Sequence, residues 1–131
     1  MPLATQLNLT LESRTGTLAR LCRQLAEGGV NLLALSAPEV ERGGTVRLLV
    51  ANRELAERAL TRAGYPFSVE EVLFVELKNR PGALARAVEK LARANIDIRY
   101  TYATAHTRAQ KTAAVIAVGA GDLPRALKLL G

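Results

Sequence analysis

The sequence predicts an α+β protein made of two tandem units of order βαββαβ, the second ending before its last strand. Three observations carry this expectation. Short runs with alternating apolar residues are followed by runs with a helical apolar stripe, in the same order twice. The halves are related by an offset of 66 residues, with Leu11-Glu12-Ser13-Arg14-Thr15-Gly16-Thr17-Leu18 answering Leu77-Lys78-Asn79-Arg80-Pro81-Gly82-Ala83-Leu84 and the match continuing through Arg20/Arg86, Leu25/Leu91 and Val30/Ile96. After a one-residue insertion the offset becomes 67, through Thr45/Thr112, Leu48/Val115, Leu60/Leu127 and Gly64/Gly131. Finally, no Gly- or Ser-rich spacer separates the halves, 1–71 and 72–131, so they should be fixed side by side.

In chain order, Leu7, Leu9 and Leu11 alternate along a first strand from Gln6 to Leu11. Thr17 to Glu27 places Leu18, Leu21, Cys22 and Leu25 on one helical stripe, which Gly28-Gly29 ends. Val30 to Ala37 and Thr45 to Ala51 form a hairpin over the polar turn Pro38 to Gly44. Asn52 suits the cap of a helix from Arg53 to Ala63, stopped by Gly64. Phe67 to Glu70 supplies a fourth strand, and Val72 to Leu77 opens the second half. There a helix from Pro81 to Ala94, strands from Ile96 to Ala103 and Lys111 to Val118, and a helix from Leu123 to Leu130 repeat the order. Each half is thus a split βαβ, ferredoxin-like sandwich, and the open edge left in the second half should be covered by a strand of the other half or of a second chain.

Composition excludes several function classes. About half the residues are apolar, yet no apolar run approaches a membrane span and the first residues lack a signal-like pattern, so a cytoplasmic protein is expected. The single Cys22 is expected to pack as a small hydrophobe. The net charge of +6 suggests weak phosphate attraction, but the Arg residues are scattered and interleaved with Glu, and there are only five aromatics. Specific nucleic-acid binding is therefore not expected. His106, the only histidine, falls in a hairpin turn, and no nucleophile triad, metal-ligand set, Walker loop or dinucleotide fingerprint occurs. Neither catalysis nor a cofactor is expected.

The segment that carries chemistry is the strand-to-helix corner from Leu77 to Leu84. Pro81 suits the first helical position, and Gly82 lets the backbone approach a ligand. The unpaired N–H groups of the first turn, around Gly82 and Ala83, suit a carboxylate or another anion. Arg80, Arg86 and Arg99 could help hold an acidic ligand, although solvated surface is the commoner role for Arg. A plainer alternative is that Asn79 and Ser13 satisfy backbone groups at a helix start while Asn31 and Asp97 solvate loops.

Lys78-Asn79-Arg80-Pro81-Gly82-Ala83-Leu84, followed by a helix and Asn95-Ile96-Asp97-Ile98, resembles the signature of the ACT domain. Ser13-Arg14-Thr15-Gly16-Thr17-Leu18 and Gly29-Val30-Asn31-Leu32 are similar, with Thr15 where the family usually has Pro. The whole chain is similar to small stand-alone bacterial proteins of two tandem ACT domains. That resemblance implies a regulatory, allosteric module whose units pair side by side into a continuous antiparallel sheet. It further implies an amino-acid ligand at the interface between ACT units, a homodimer, and contacts from Asn79 or Ser13 at the corner and from Asn31 or Asp97 at the second strand. Gly16, Arg80, Gly82 and Ala83 complete the expected site. The alternative function is a regulatory subunit that docks on an amino-acid biosynthetic enzyme of the acetohydroxyacid synthase type.

Overall fold

The computed structural model describes residues 3–131. The elements are β1 (Leu3–Thr10), α1 (Thr17–Glu27), β2 (Leu32–Ser36), a 3₁₀ turn (Val40–Arg42), β3 (Thr45–Val50), α2 (Arg53–Arg62), β4 (Ser68–Lys78), α3 (Ala83–Arg93), β5 (Ile98–Thr104), β6 (Lys111–Val118) and α4 (Leu123–Leu130). Their order and antiparallel pairing are those of tandem ferredoxin-like units, as the periodicity predicts. The chain divides into one compact unit of Thr5–Glu70 and another of Glu71–Gly131 with Leu3 and Ala4. The first two residues of the expected first half lie outside the described residues.

In the unit Thr5–Glu70 the strands run β2-β3-β1, with Leu7 opposite Leu48 and Leu9 opposite Val46. Because side chains alternate across a strand, this register sends Leu7, Leu9, Val46 and Leu48 to one face, where Leu21, Leu25 and Leu60 of the helices bury with them. Each such leucine contributes roughly 1.5–3 kcal/mol of transfer free energy. Cys22 is half-buried on the flank of the stripe. Asn52 caps α2 as its position suggests, its side-chain oxygen accepting from the Leu55 N–H at 3.1 Å.

The unit Glu71–Gly131 repeats the plan with strand order β4-β6-β5, and Leu73 and Val75 opposite Ile116 and Ala114. Leu91, Ile96 and Ala126 complete its core. The duplication extends to irregularities: the register slips between Leu32 and Ala34 in one unit and at the equivalent place, between Ile98 and Tyr100, in the other.

Several element ends differ by a residue or two from the sequence reading, β2 starting at Leu32 and β5 at Ile98, and three further differences bear on the strands and turns. β1 begins at Leu3, ahead of Gln6. The two strands expected on either side of Glu71 form a single strand, β4, because Glu70-Glu71 contains neither Gly nor Pro to break the extended backbone. Pro81 is not the first residue of α3; the helix starts at Ala83, after Gly82 in the left-handed region at φ 87°. The first unit does the same, Gly16 at φ 95° preceding Thr17. The turn into each helix therefore depends on glycine, which has no Cβ to oppose a positive φ.

Candidate functional site

The corner of the first unit is already occupied by the protein itself. The carboxylate of Glu41 accepts from the backbone N–H groups of Gly16 at 3.0 Å and Leu18 at 3.3 Å, through one oxygen, Oε2. Both donors belong to the start of α1, where intrahelical acceptors are missing and the helix dipole is positive. The loop is built to deliver this side chain. Val40 is buried and anchors the 3₁₀ turn, Glu39 and Gly43 flank it with φ of 51° and 92°, and Gly44 donates its N–H to the Glu39 carbonyl at 2.8 Å. A Cβ at Gly44 would lie 1.9 Å from the Pro38 carbonyl oxygen, so only glycine fits there. Thr17, buried at the same corner, ties its hydroxyl to the Glu12 and Arg14 carbonyls at 3.1 and 3.0 Å. Ser13 is exposed, close enough to the loop that a Cβ on Gly43 would stand 3.7 Å from its hydroxyl.

The corner of the second unit is open. Gly82 and Leu84 stand where Gly16 and Leu18 stand, but no carboxylate among the described residues reaches their N–H groups. The equivalent hairpin turn, 105–110, contains His106 and Arg108 and no acid. Instead a cation lies there: the Arg86 guanidinium is so close to Gly82 that a Cβ would meet its Nη1 at 3.2 Å. The neighbouring Lys78 and Arg80 are exposed, and residues 77–86 include no Asp or Glu. Leu84 is 40% exposed, leaving an apolar surface beside the open N–H groups.

The sequence-derived candidates do not all converge on this corner. Asn79 Nδ2 donates to the carbonyls of His106 at 3.0 Å and Ala109 at 2.9 Å, so the amide nitrogen holds the β5–β6 hairpin and only the oxygen remains for a ligand. The Ala83 N–H turns back to the Arg80 carbonyl at 3.3 Å, which removes it from the set of open donors. Asn31 and Asp97, both exposed, follow the C-terminal ends of α1 and α3. Each helix has eleven residues, so within a unit these side chains are separated from the corner by about 16 Å of helix. His106 is exposed and its ring accepts from the Arg108 N–H at 3.2 Å.

Two contributors were missed from sequence: Glu41, read as part of a polar connection, and the Leu84 N–H. The signal for Glu41 was present in the duplication, since Thr107 or Arg108 takes its place in the second half. Replacing Asn79 with alanine should cost about 1 kcal/mol by denaturant unfolding and speed amide exchange at Ala109, because the hairpin loses its tie to the corner.

Among the described residues no cluster of three His, Cys, Asp or Glu side chains could hold a metal ion, and no helix is long and apolar enough to cross a membrane. What the second corner offers is a cationic, donor-rich cradle for an anion. The family model for an ACT domain pair matches residues 3–118. The chain belongs to the ACT domain pair family. A solved protein from Bacteroides thetaiotaomicron is 27% identical over 98% of this chain and 87% of its own, with a TM-score of 0.87. Two more distant structures share the fold of the ACT pair. The regulatory subunit of aspartate kinase from Thermus thermophilus, in a ligand-free form, is 16% identical over 98% of this chain and 95% of its own, with a TM-score of 0.63. A structure of aspartokinase alpha and beta subunits is 13% identical over 99% and 95%, with a TM-score of 0.62. No curated protein sequence matches this ACT pair. ACT pairs are regulatory modules that sense small molecules, and the 3–118 match leaves no separate catalytic domain among the described residues.

Proposed function

We propose that this ACT pair is an allosteric sensor of a free amino acid, bound at the corner of the second unit. The observation that carries the reading is the asymmetry of the two corners. Glu41 is a carboxylate held by two N–H groups of the corner, two residues apart, and among the described residues no acid takes its place at the second corner. In this reading Gly82 and Leu84 donate to the ligand carboxylate, Arg86 neutralises it, and the oxygen of Asn79 receives the ammonium. Leu84 lies against the ligand side chain. Ser13 and Gly16 are then not ligand residues, because their corner is filled from within. The aspartate kinase regulatory subunit that shares the fold supports a regulatory use of this architecture.

The test is thermal unfolding of the purified protein against the free amino acids. A ligand that binds only the folded state raises stability by RT ln(1 + [L]/Kd), about 2.7 kcal/mol at a hundredfold excess over Kd. One related group of amino acids should raise the midpoint, and Arg86→Gln should abolish the rise. A flat panel would favour the other reading, a subunit that docks on a biosynthetic enzyme. We further propose that the protein is cytoplasmic and works as a homodimer, for which light scattering should give twice the mass of the 131-residue chain.

A further inference from the structure

The unit Thr5–Glu70 has a cavity of its own that takes no part in the site proposed above. It measures about 270 Å³ and lies open to solvent where the end of β1 and the first turns of α1 meet the C-terminal end of α2. Leu11, Glu12, Arg14, Arg20, Ala63 and Tyr65 are among its walls. The topology creates it: α1 departs from the end of β1 and α2 returns to the same end, so a helix start and a helix end share one rim.

Its two arginines are in different states. Arg14 is paired with Glu12 at 2.7 Å. The Arg20 guanidinium has no acid or carbonyl partner among the described residues. Its counterpart in the duplication, Arg86, folds over Gly82, whereas no atom comes within 4 Å of a Cβ position at Gly16, so Arg20 does not cover its own corner and instead lines the cavity. Tyr65 packs its ring against the core, lines the same cavity, and has no hydroxyl partner among the described residues. The remaining wall is partly apolar, from Leu11, Ala63 and the Tyr65 ring. The volume falls just below the roughly 300 Å³ at which pockets for drug-sized ligands begin.

We infer that this cavity binds a small aliphatic monocarboxylate. Its carboxylate pairs with Arg20 and the Tyr65 hydroxyl, and its chain lies against Leu11 and Ala63. Glu12 and the negative end of the α2 dipole oppose a second negative charge, which selects against dicarboxylates and phosphate. A simple carboxylic acid and an amino acid with an aliphatic side chain share this chemistry, and they differ only in the ammonium that Glu12 could receive.

The test is an amide-resolved NMR titration of the full chain with 4-methylpentanoate, leucine and inorganic phosphate as probes. 4-Methylpentanoate should shift the amides of Glu12, Gly64 and Tyr65 saturably. Arg20 is exposed, so Arg20→Gln should fold normally and bind at least about tenfold more weakly. Tyr65→Phe should weaken binding several-fold. Tighter binding of leucine identifies an amino acid as the source, and weaker binding identifies a simple acid; both support the site. No saturable shift at these amides, equal affinity in Arg20→Gln, or phosphate binding as well as the monocarboxylates would overturn it. Shifts at Gly82 and Leu84 report the other unit and leave this inference independent of the sensor reading.

Discussion

Gly44→Ala should destabilise the first unit by about 1–3 kcal/mol, the range for forcing atoms into a filled space, and should uncap α1 at the same time. A Cβ at this position would lie 1.9 Å from the Pro38 carbonyl oxygen and 2.7 Å from that of Glu39, both main-chain atoms that no rotamer change can move. The loop must therefore open, and Glu41 moves with it. Chemical denaturation should show the lost stability, and hydrogen exchange should speed at Gly16 and Leu18, the two amides that Glu41 holds. Glu41→Gln provides the finer comparison. It keeps the loop but removes the charge, so only the smaller dipole and charged hydrogen-bond contribution of about 1 kcal/mol should be lost.

The second large effect concerns ligand binding. Gly82→Ala introduces a Cβ at φ 87° and at 3.2 Å from Arg86 Nη1, so it strains the turn by about 1–2 kcal/mol and displaces the cation from the corner. Affinity for the amino acid should fall by roughly tenfold or more, which is about 1.4 kcal/mol or more of binding free energy. Gly16→Ala is the control. Gly16 has φ 95° and a Cβ there would meet nothing within 4 Å, so Gly16→Ala carries the same backbone penalty in a corner whose amide Glu41 already holds. Similar stability losses with a binding defect in Gly82→Ala alone separate the site from general destabilisation. Equal binding defects in both variants would show that backbone strain, and not the open corner, decides affinity.

The fold was legible because its causes are periodic and local. Leu7, Leu9 and Leu11 alternate, Leu21 and Leu25 share a stripe, and each pattern returns 66 residues later with Gly16 and Gly82 at the same bend. The boundaries that moved did so for reasons outside a local pattern. Pro81 is compatible with a first helical position, but the left-handed Gly82 that follows it starts the helix two residues on. Glu70-Glu71 looks polar enough to separate two strands, yet nothing in it bends the chain.

The site was legible only as a place. Gly82 and its cationic neighbours stand where the motif put them, but which donors are open is a tertiary matter. The Ala83 N–H is lost to a turn, the Asn79 amide nitrogen to a hairpin it touches only in the folded chain, and the first corner to Glu41. That last contact spans 25 residues and depends on Val40 burying beside it, so no local pattern announces it; only the loss of the acid at Thr107 or Arg108 in the second half marks it. Arg20 and Arg86 make the same point: equivalent in sequence, they serve different surroundings because one glycine faces a carboxylate and the other does not.

In the proposed sensor, one corner of this ACT pair is closed by its own carboxylate and the other receives a ligand's. The most direct measurement is an amide-resolved NMR titration with the amino acid that most stabilises the protein, following both corners together. Saturable shifts are expected at Gly82 and Leu84 and at the Arg86 side chain, with Gly16 and Leu18 unmoved. Shifts at Gly16 and Leu18, with Gly82 and Leu84 silent, would overturn the sensor reading.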